Sequence, residues 1–93
     1  MFQIIWSRRA LVGYSSILNY IDKHWTDREV RKFEKEVKDF LLLLSHNPNL
    51  LQPIEKNVRR GPLNSLTMIT YQINHTEKVI YLLNMRSSRQ KPY

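Results

Sequence analysis

The chain contains no cysteine. Disulfides and Cys-based zinc sites are therefore excluded, and the composition fits a reducing compartment. Long apolar runs are also missing. The longest, Phe40 to Leu44, falls far short of the ~20 residues a bilayer-spanning helix needs. Phe2 to Trp6 is likewise too short for a signal-peptide core and runs into Arg8-Arg9. These absences point to a soluble, cytoplasmic protein with no membrane partner. The three histidines, His24, His46 and His75, are scattered without metal-ligand spacing or a carboxylate cluster beside them, so no metal is expected. No Ser-His-Asp order, Gly-rich phosphate loop or nucleotide motif is present, and no cofactor is expected.

What the chain does have is positive charge. Its 93 residues carry a net charge of +7 with a pI near 10, and 42% are hydrophobic, which argues against disorder. Length sets one small domain, residues 1–93, with a modest core that a partner can help stabilise. The basic balance suggests an anionic partner: nucleic acid, an acidic peptide or an acidic protein surface. The excess is unevenly placed. Residues 26–46 hold five basic and five acidic groups, whereas residues 47–93 hold seven basic groups against Glu55 and Glu77 alone. Attention therefore moves from the conspicuous charged helix to the C-terminal half.

Phe2 to Trp6 reads as a short strand. Ser7 can cap a helix in which Ala10, Tyr14, Ile17, Leu18, Ile21 and Trp25 form one apolar face, with Gly13 a mild interruption. Thr26-Asp27-Arg28-Glu29 reads as a capping box in which Glu29 reaches back to the Thr26 amide. The helix it opens buries Val30, Phe33, Val37, Phe40, Leu41 and Leu44 and ends near Asn47-Pro48. Two helices joined without a loop must form a hairpin. After Pro53 the pattern turns to strands: Ile54 to Arg60, broken by Gly61-Pro62; Leu66 to Ile73, with Ile69, Tyr71 and Ile73 on one face; and, past an Asn74-His75-Thr76 turn, Lys78 to Met85. The predicted class is α+β, in the order β-α-α-β-β-β. It gives a small, antiparallel-rich sheet with the helical hairpin on one face and the other face partly bare. Trp6, Ile17, Ile21, Phe33, Val37, Phe40, Ile69 and Ile73 are the expected core.

Four arginines, Arg59, Arg60, Arg86 and Arg89, are the leading candidate site for a target or a phosphate. Guanidinium groups bind phosphate or carboxylate through paired hydrogen bonds, and these four bracket two apolar strands so as to line one rim of the sheet. The competing reading has them solvated or paired with Glu55 and Glu77. Arg28, Arg31, Lys35 and Lys38 on the second helix share it with five acids and read better as a solvated face with i,i+4 pairing. Leu42 and Leu43 fall outside that helix's apolar face, either for a partner helix or folded under the following loop. His75 reads as a turn residue, and Tyr71 and Tyr81 as sheet packing. Tyr93 is either disordered or a catalytic phenol.

Arg59-Arg60-Gly61-Pro62-Leu63, Tyr71-Gln72-Ile73 and Arg89-Gln90-Lys91-Pro92, in this order behind a strand and a helical hairpin, resemble the RelE/ParE superfamily of toxins from bacterial type II toxin–antitoxin systems. The resemblance covers nearly the whole chain. It implies a cognate antitoxin as partner. Two activities are implied by its two branches. RelE-like members cleave mRNA on the ribosome without metal, and matching residues here would be Arg60, Arg89 and Tyr93. Those members commonly carry an arginine three positions before the tyrosine of the third strand, where this chain has Met68, and their lysine-rich second strand is reduced to Lys56. ParE-like members poison DNA gyrase without ribonuclease residues. The Arg-Gln-x-Pro ending is more like this branch and the plasmid stabilisation proteins near it, so the resemblance favours a non-enzymatic, growth-inhibiting toxin. The alternatives are the metal-independent endoribonuclease and a member without activity.

Overall fold

The structure, a computed structural model, describes residues 1–88. Five strands form one sheet in the order β1-β5-β4-β3-β2. They are β1 (Gln3–Trp6), β2 (Gln52–Glu55), β3 (Val58–Asn64), β4 (Thr67–Asn74) and β5 (Val79–Ser87). Between β1 and β2 lie the helices α1 (Arg8–His24) and α2 (Asp27–His46). β1 runs parallel to β5 and every other pair is antiparallel. The α+β class, the hairpin of helices and the antiparallel-rich sheet are those the sequence predicts. No helix among the described residues is long and apolar enough to cross a membrane.

The C-terminal half holds one more strand than the spacing suggests. Ile54 to Arg60 is two strands, turning at Lys56-Asn57, where Asn57 takes a positive φ of 61°. Asparagine tolerates that conformation better than most residues. Gly61-Pro62 does not break a strand: both lie inside β3, opposite Ile69 and Met68. Pro62 stands past the last residue paired with β2, where β3 has an open edge that can carry a proline.

Ser7 caps α1 as predicted, its hydroxyl accepting from the Ala10 amide at 3.0 Å. It also fastens the helix to the sheet, donating its amide to the Leu82 carbonyl and its hydroxyl to that of Leu83. The start of α2 departs from the expected reciprocal box. The Thr26 hydroxyl donates to the Glu29 carboxylate, and the Glu29 amide donates to the Thr26 carbonyl. That bond from Thr26 holds the Glu29 carboxyl below its usual range. Neither side chain caps a backbone amide at this end of the helix.

The core lies between the hairpin and one face of the sheet. Ile17, Ile21, Phe33, Val37, Ile69 and Ile73 are buried there, with Trp6 and Phe40 packed against them in part. Tyr14 stacks on Phe33 across the hairpin at 5.8 Å, and Trp6 meets Tyr14 edge-on at 5.3 Å. Burial raises the Tyr14 phenol above its ordinary value, and Glu34 adds to the effect. The basic stripe of α2 is exposed, as its balance of charges implies. Lys35 meets Asp39 at 2.7 Å, both largely solvated, a geometry that contributes little.

Gly13 is no mild interruption. A Cβ there would lie 1.7 Å from the Met85 carbonyl oxygen, so only glycine lets α1 come this close to β5.

Candidate functional site

Successive residues of a strand point to opposite faces. The Arg59-Arg60 pair is split by this rule. Arg59 stands opposite Tyr71, on the helix-bearing face, and Arg60 opposite Thr70, on the bare one. Both lie within β3, not at its end. Arg59 donates to the carbonyls of Leu51 (2.6 Å) and Asn49 (3.2 Å). The buried Tyr71 hydroxyl donates to the Pro48 carbonyl at 2.7 Å and accepts from the Leu51 amide at 3.2 Å. Together these side chains pin the segment joining α2 to β2. Burial raises the Tyr71 phenol above its ordinary value, with the Leu51 amide and the Arg59 charge pulling the other way. Arg59 is thereby occupied in holding the fold.

The position of Arg86 depends on a bulge. Thr70 faces Asn84 while Tyr71 faces Leu82, leaving Leu83 as an extra residue in β5. Strict alternation would put Leu82, Asn84 and Arg86 on one face. The bulge instead sends Met85 into the core beside Leu82 and turns Asn84 and Arg86 to the bare face. Nothing in the local sequence announces the extra residue, and a period-2 reading of β5 loses its parity there.

The bare face therefore carries two neighbouring rows. Arg60, Thr70 and Asn84 form one across three strands; Pro62, Met68 and Arg86 form the next. Two strand spacings and two residue steps put the Cα atoms of Arg60 and Arg86 roughly 12 Å apart. The Arg60 Nε–H reaches the Thr70 hydroxyl at 3.3 Å. Neither row contains a carboxylate or a histidine, so nothing in them neutralises the two charges or offers a general base. Met68 stands directly opposite Arg86. An arginine missing from position 68 thus has a cation one strand away in space, which sequence proximity does not reveal.

Arg89 and Tyr93, with the Arg89-Gln90-Lys91-Pro92 motif, lie outside the described residues. Of the four candidate arginines, the sheet brings Arg60 and Arg86 to one face and directs Arg59 to the other. No group of three or more His, Asp or Glu side chains able to hold a metal occurs among the described residues. Farther along the bare face is a polar cleft of about 370 Å³, lined by Asn57, Gln72, Asn74, His75, Thr76 and Tyr81. The sequence offered a weak signal for it in the alternation of Gln72 and Asn74 on the polar side of β4. His75 sits in the β4–β5 turn as predicted, where Asn74 accepts from the Glu77 amide.

This arrangement of strands and helices matches solved structures. The isolated RelE toxin of E. coli aligns over 98% of this chain and 88% of its own, with a TM-score of 0.62 at 10% identity. The chain has the RelE fold. A chain of the intact E. coli RelBE toxin–antitoxin complex gives a TM-score of 0.63 at 12% identity, over 97% of this chain and 100% of that one. A conserved hypothetical protein of Helicobacter pylori aligns at 0.55 and 21% identity, over 95% and 96% of the two chains. No family model and no curated protein matches the sequence. Within the RelE fold, Arg60 and Arg86 occupy the face the helices leave bare.

Proposed function

We propose that this protein is the toxin of a type II toxin–antitoxin pair and that it acts by binding an anionic surface of an intracellular target through Arg60 and Arg86. The observation that carries this reading is the placement of those two arginines in neighbouring rows on the bare face of a RelE-fold sheet, with no acid in either row. Likeness to a chain of the RelBE complex supports a protein antitoxin as the second partner. Neither row holding the arginines supplies a proton-transfer group, which favours binding over catalysis. The target class is then that of the ParE-like branch, a protein such as DNA gyrase. Arg60→Ala with Arg86→Ala should abolish growth inhibition while leaving the circular dichroism spectrum unchanged. Each lost charged hydrogen bond is worth about 1.5–3 kcal/mol of binding. Growth inhibition that persists undiminished in the double variant sinks this reading.

A second reading, ribosome-dependent mRNA cleavage, is favoured by the likeness to RelE itself. It places Arg60 and Arg86 on the scissile phosphate and looks to Tyr93 for proton transfer. Primer extension on translated mRNA separates the two. Codon-phased cuts that disappear in Arg60→Ala or Tyr93→Phe establish the nuclease; their absence at toxic levels of the protein establishes target binding.

A further inference from the structure

The polar cleft and the arginine rows share the bare face. Gln72 lies across from Val58 and Tyr81, one row along from Arg60, Thr70 and Asn84. Two residues of a strand separate the rows, roughly 7 Å. The far wall is the β2–β3 turn. Asn57, at its positive φ, is fastened there by its carbonyl, which accepts from the Ile73 amide at 2.8 Å. Asn74 is occupied by Glu77, donating to its carboxylate at 3.1 Å, and His75 rests edge-on against Phe2 at 6.1 Å. The carboxamides of Asn57 and Gln72 and the Tyr81 hydroxyl have no hydrogen-bond partner among the described residues. No lysine, arginine, aspartate or glutamate lines the cleft.

We infer that this cleft selects the target: it takes an uncharged polar side chain of a polypeptide (Asn, Gln, Ser or Thr) that lies about two residues from the acidic group held by Arg60. The inference rests on the target-binding reading, which supplies that acidic group. The lining defines the occupant by elimination. A charged group would leave water without meeting an opposite charge. An apolar one would strand two carboxamides and a phenol unpaired. What fits is a group that both donates and accepts, as carboxamides and hydroxyls do. The spacing selects a polypeptide. Roughly 7 Å is about two residues of extended chain, so one segment laid along the strands reaches both places. A nucleobase also donates and accepts, but the phosphate that follows it along a nucleic-acid strand would meet no cation in the cleft. Charge at Arg60 and Arg86 draws many acidic surfaces. Hydrogen bonds in the cleft, lost with a wrong side chain, discriminate among them.

The test pans a display library of random peptides against the purified chain and measures the affinity of each retained sequence. Retained peptides should carry Asp or Glu about two positions from Asn, Gln, Ser or Thr. Arg60→Ala should weaken them roughly 10–100-fold, through lost charged hydrogen bonds. Gln72→Ala and Asn57→Gly should each weaken them roughly 3–10-fold, through lost neutral ones. Glycine accepts the positive φ of position 57, so the turn is kept. Both positions are exposed, and circular dichroism confirms the fold of each variant. Acidic peptides that need Arg60 but are indifferent to both cleft variants overturn the cleft and leave the target reading standing. Retained peptides that bind Arg60→Ala undiminished, or retention of none, overturn that reading and the inference with it. Polyuridylate bound more tightly than any peptide, and weakened by Gln72→Ala, assigns the cleft to nucleic acid and also overturns the inference.

Discussion

Gly13 and Tyr71 show how much of this small fold hangs on single residues. Alanine normally stabilises a helix interior over glycine by ~1 kcal/mol. At position 13 the sign reverses, since the obstacle is the Met85 backbone, which cannot rotate away as a side chain would. Gly13→Ala is expected to cost about 1–3 kcal/mol or more, as overpacking does, and chemical denaturation will register it as a lower midpoint. Tyr71 joins the core to the α2–β2 segment through its hydroxyl. Tyr71→Phe orphans the Leu51 amide and the Pro48 carbonyl, for a loss of about 1–3 kcal/mol at neutral pH. Its phenol also shapes the alkaline limit. In the unfolded chain it titrates near its ordinary value of 10.0, and in the fold it titrates higher. Between those values the unfolded chain has released a proton that the folded chain keeps, so stability is full below about pH 10 and declines above it. Stability measured across that window should decline less steeply in Tyr71→Phe, the remaining slope including the contribution of Tyr14.

At the scale of elements, helices were easier to read than strands. Both amphipathic stripes hold within the helices, where Ile17, Ile21, Phe33 and Val37 are buried as a 3.6-residue period puts them, but Trp25, expected on the apolar face of the first helix, lies past the end of α1 and is exposed. Phe33 joins the helices by stacking on Tyr14, and Phe33→Ala should cost roughly 3–5 kcal/mol, read by thermal unfolding; a loss under about 1 kcal/mol would show that the stacking is dispensable. Strand signals are shorter and weaker, and here they were interrupted. The Lys56-Asn57 turn lacks glycine and so hid a strand boundary, while Gly61-Pro62 advertised a break that an open edge made unnecessary. The two arginines of the bare face were visible as residues. Their juxtaposition was not, because it is made by pairing across three strands and by a bulge that has no sequence mark.

At the scale of the molecule, one side of the sheet stabilises and the other presents. The helices, Arg59 and Tyr71 serve the first side; Arg60 and Arg86 stand on the second. Because Leu83 is taken up as an unpaired bulge, Arg86 stays on the second side, and this bears on how the protein should be compared with others. An alignment drawn without a gap at Leu83 will set Arg86 against a core position in any relative whose last strand runs straight, and will score as a lost arginine what is a shift of one place. Substitutions at Leu83 leave that parity untouched. Removing the residue straightens the ladder: Asn84 then follows Leu82 directly, so Met85 stays on the core face and Arg86 on the bare one. Deletion of Leu83 should therefore yield soluble, folded protein, as Leu83→Ala does, whereas insertion of a further residue beside it, which shifts Met85 and Arg86 by one place, should yield insoluble protein on expression.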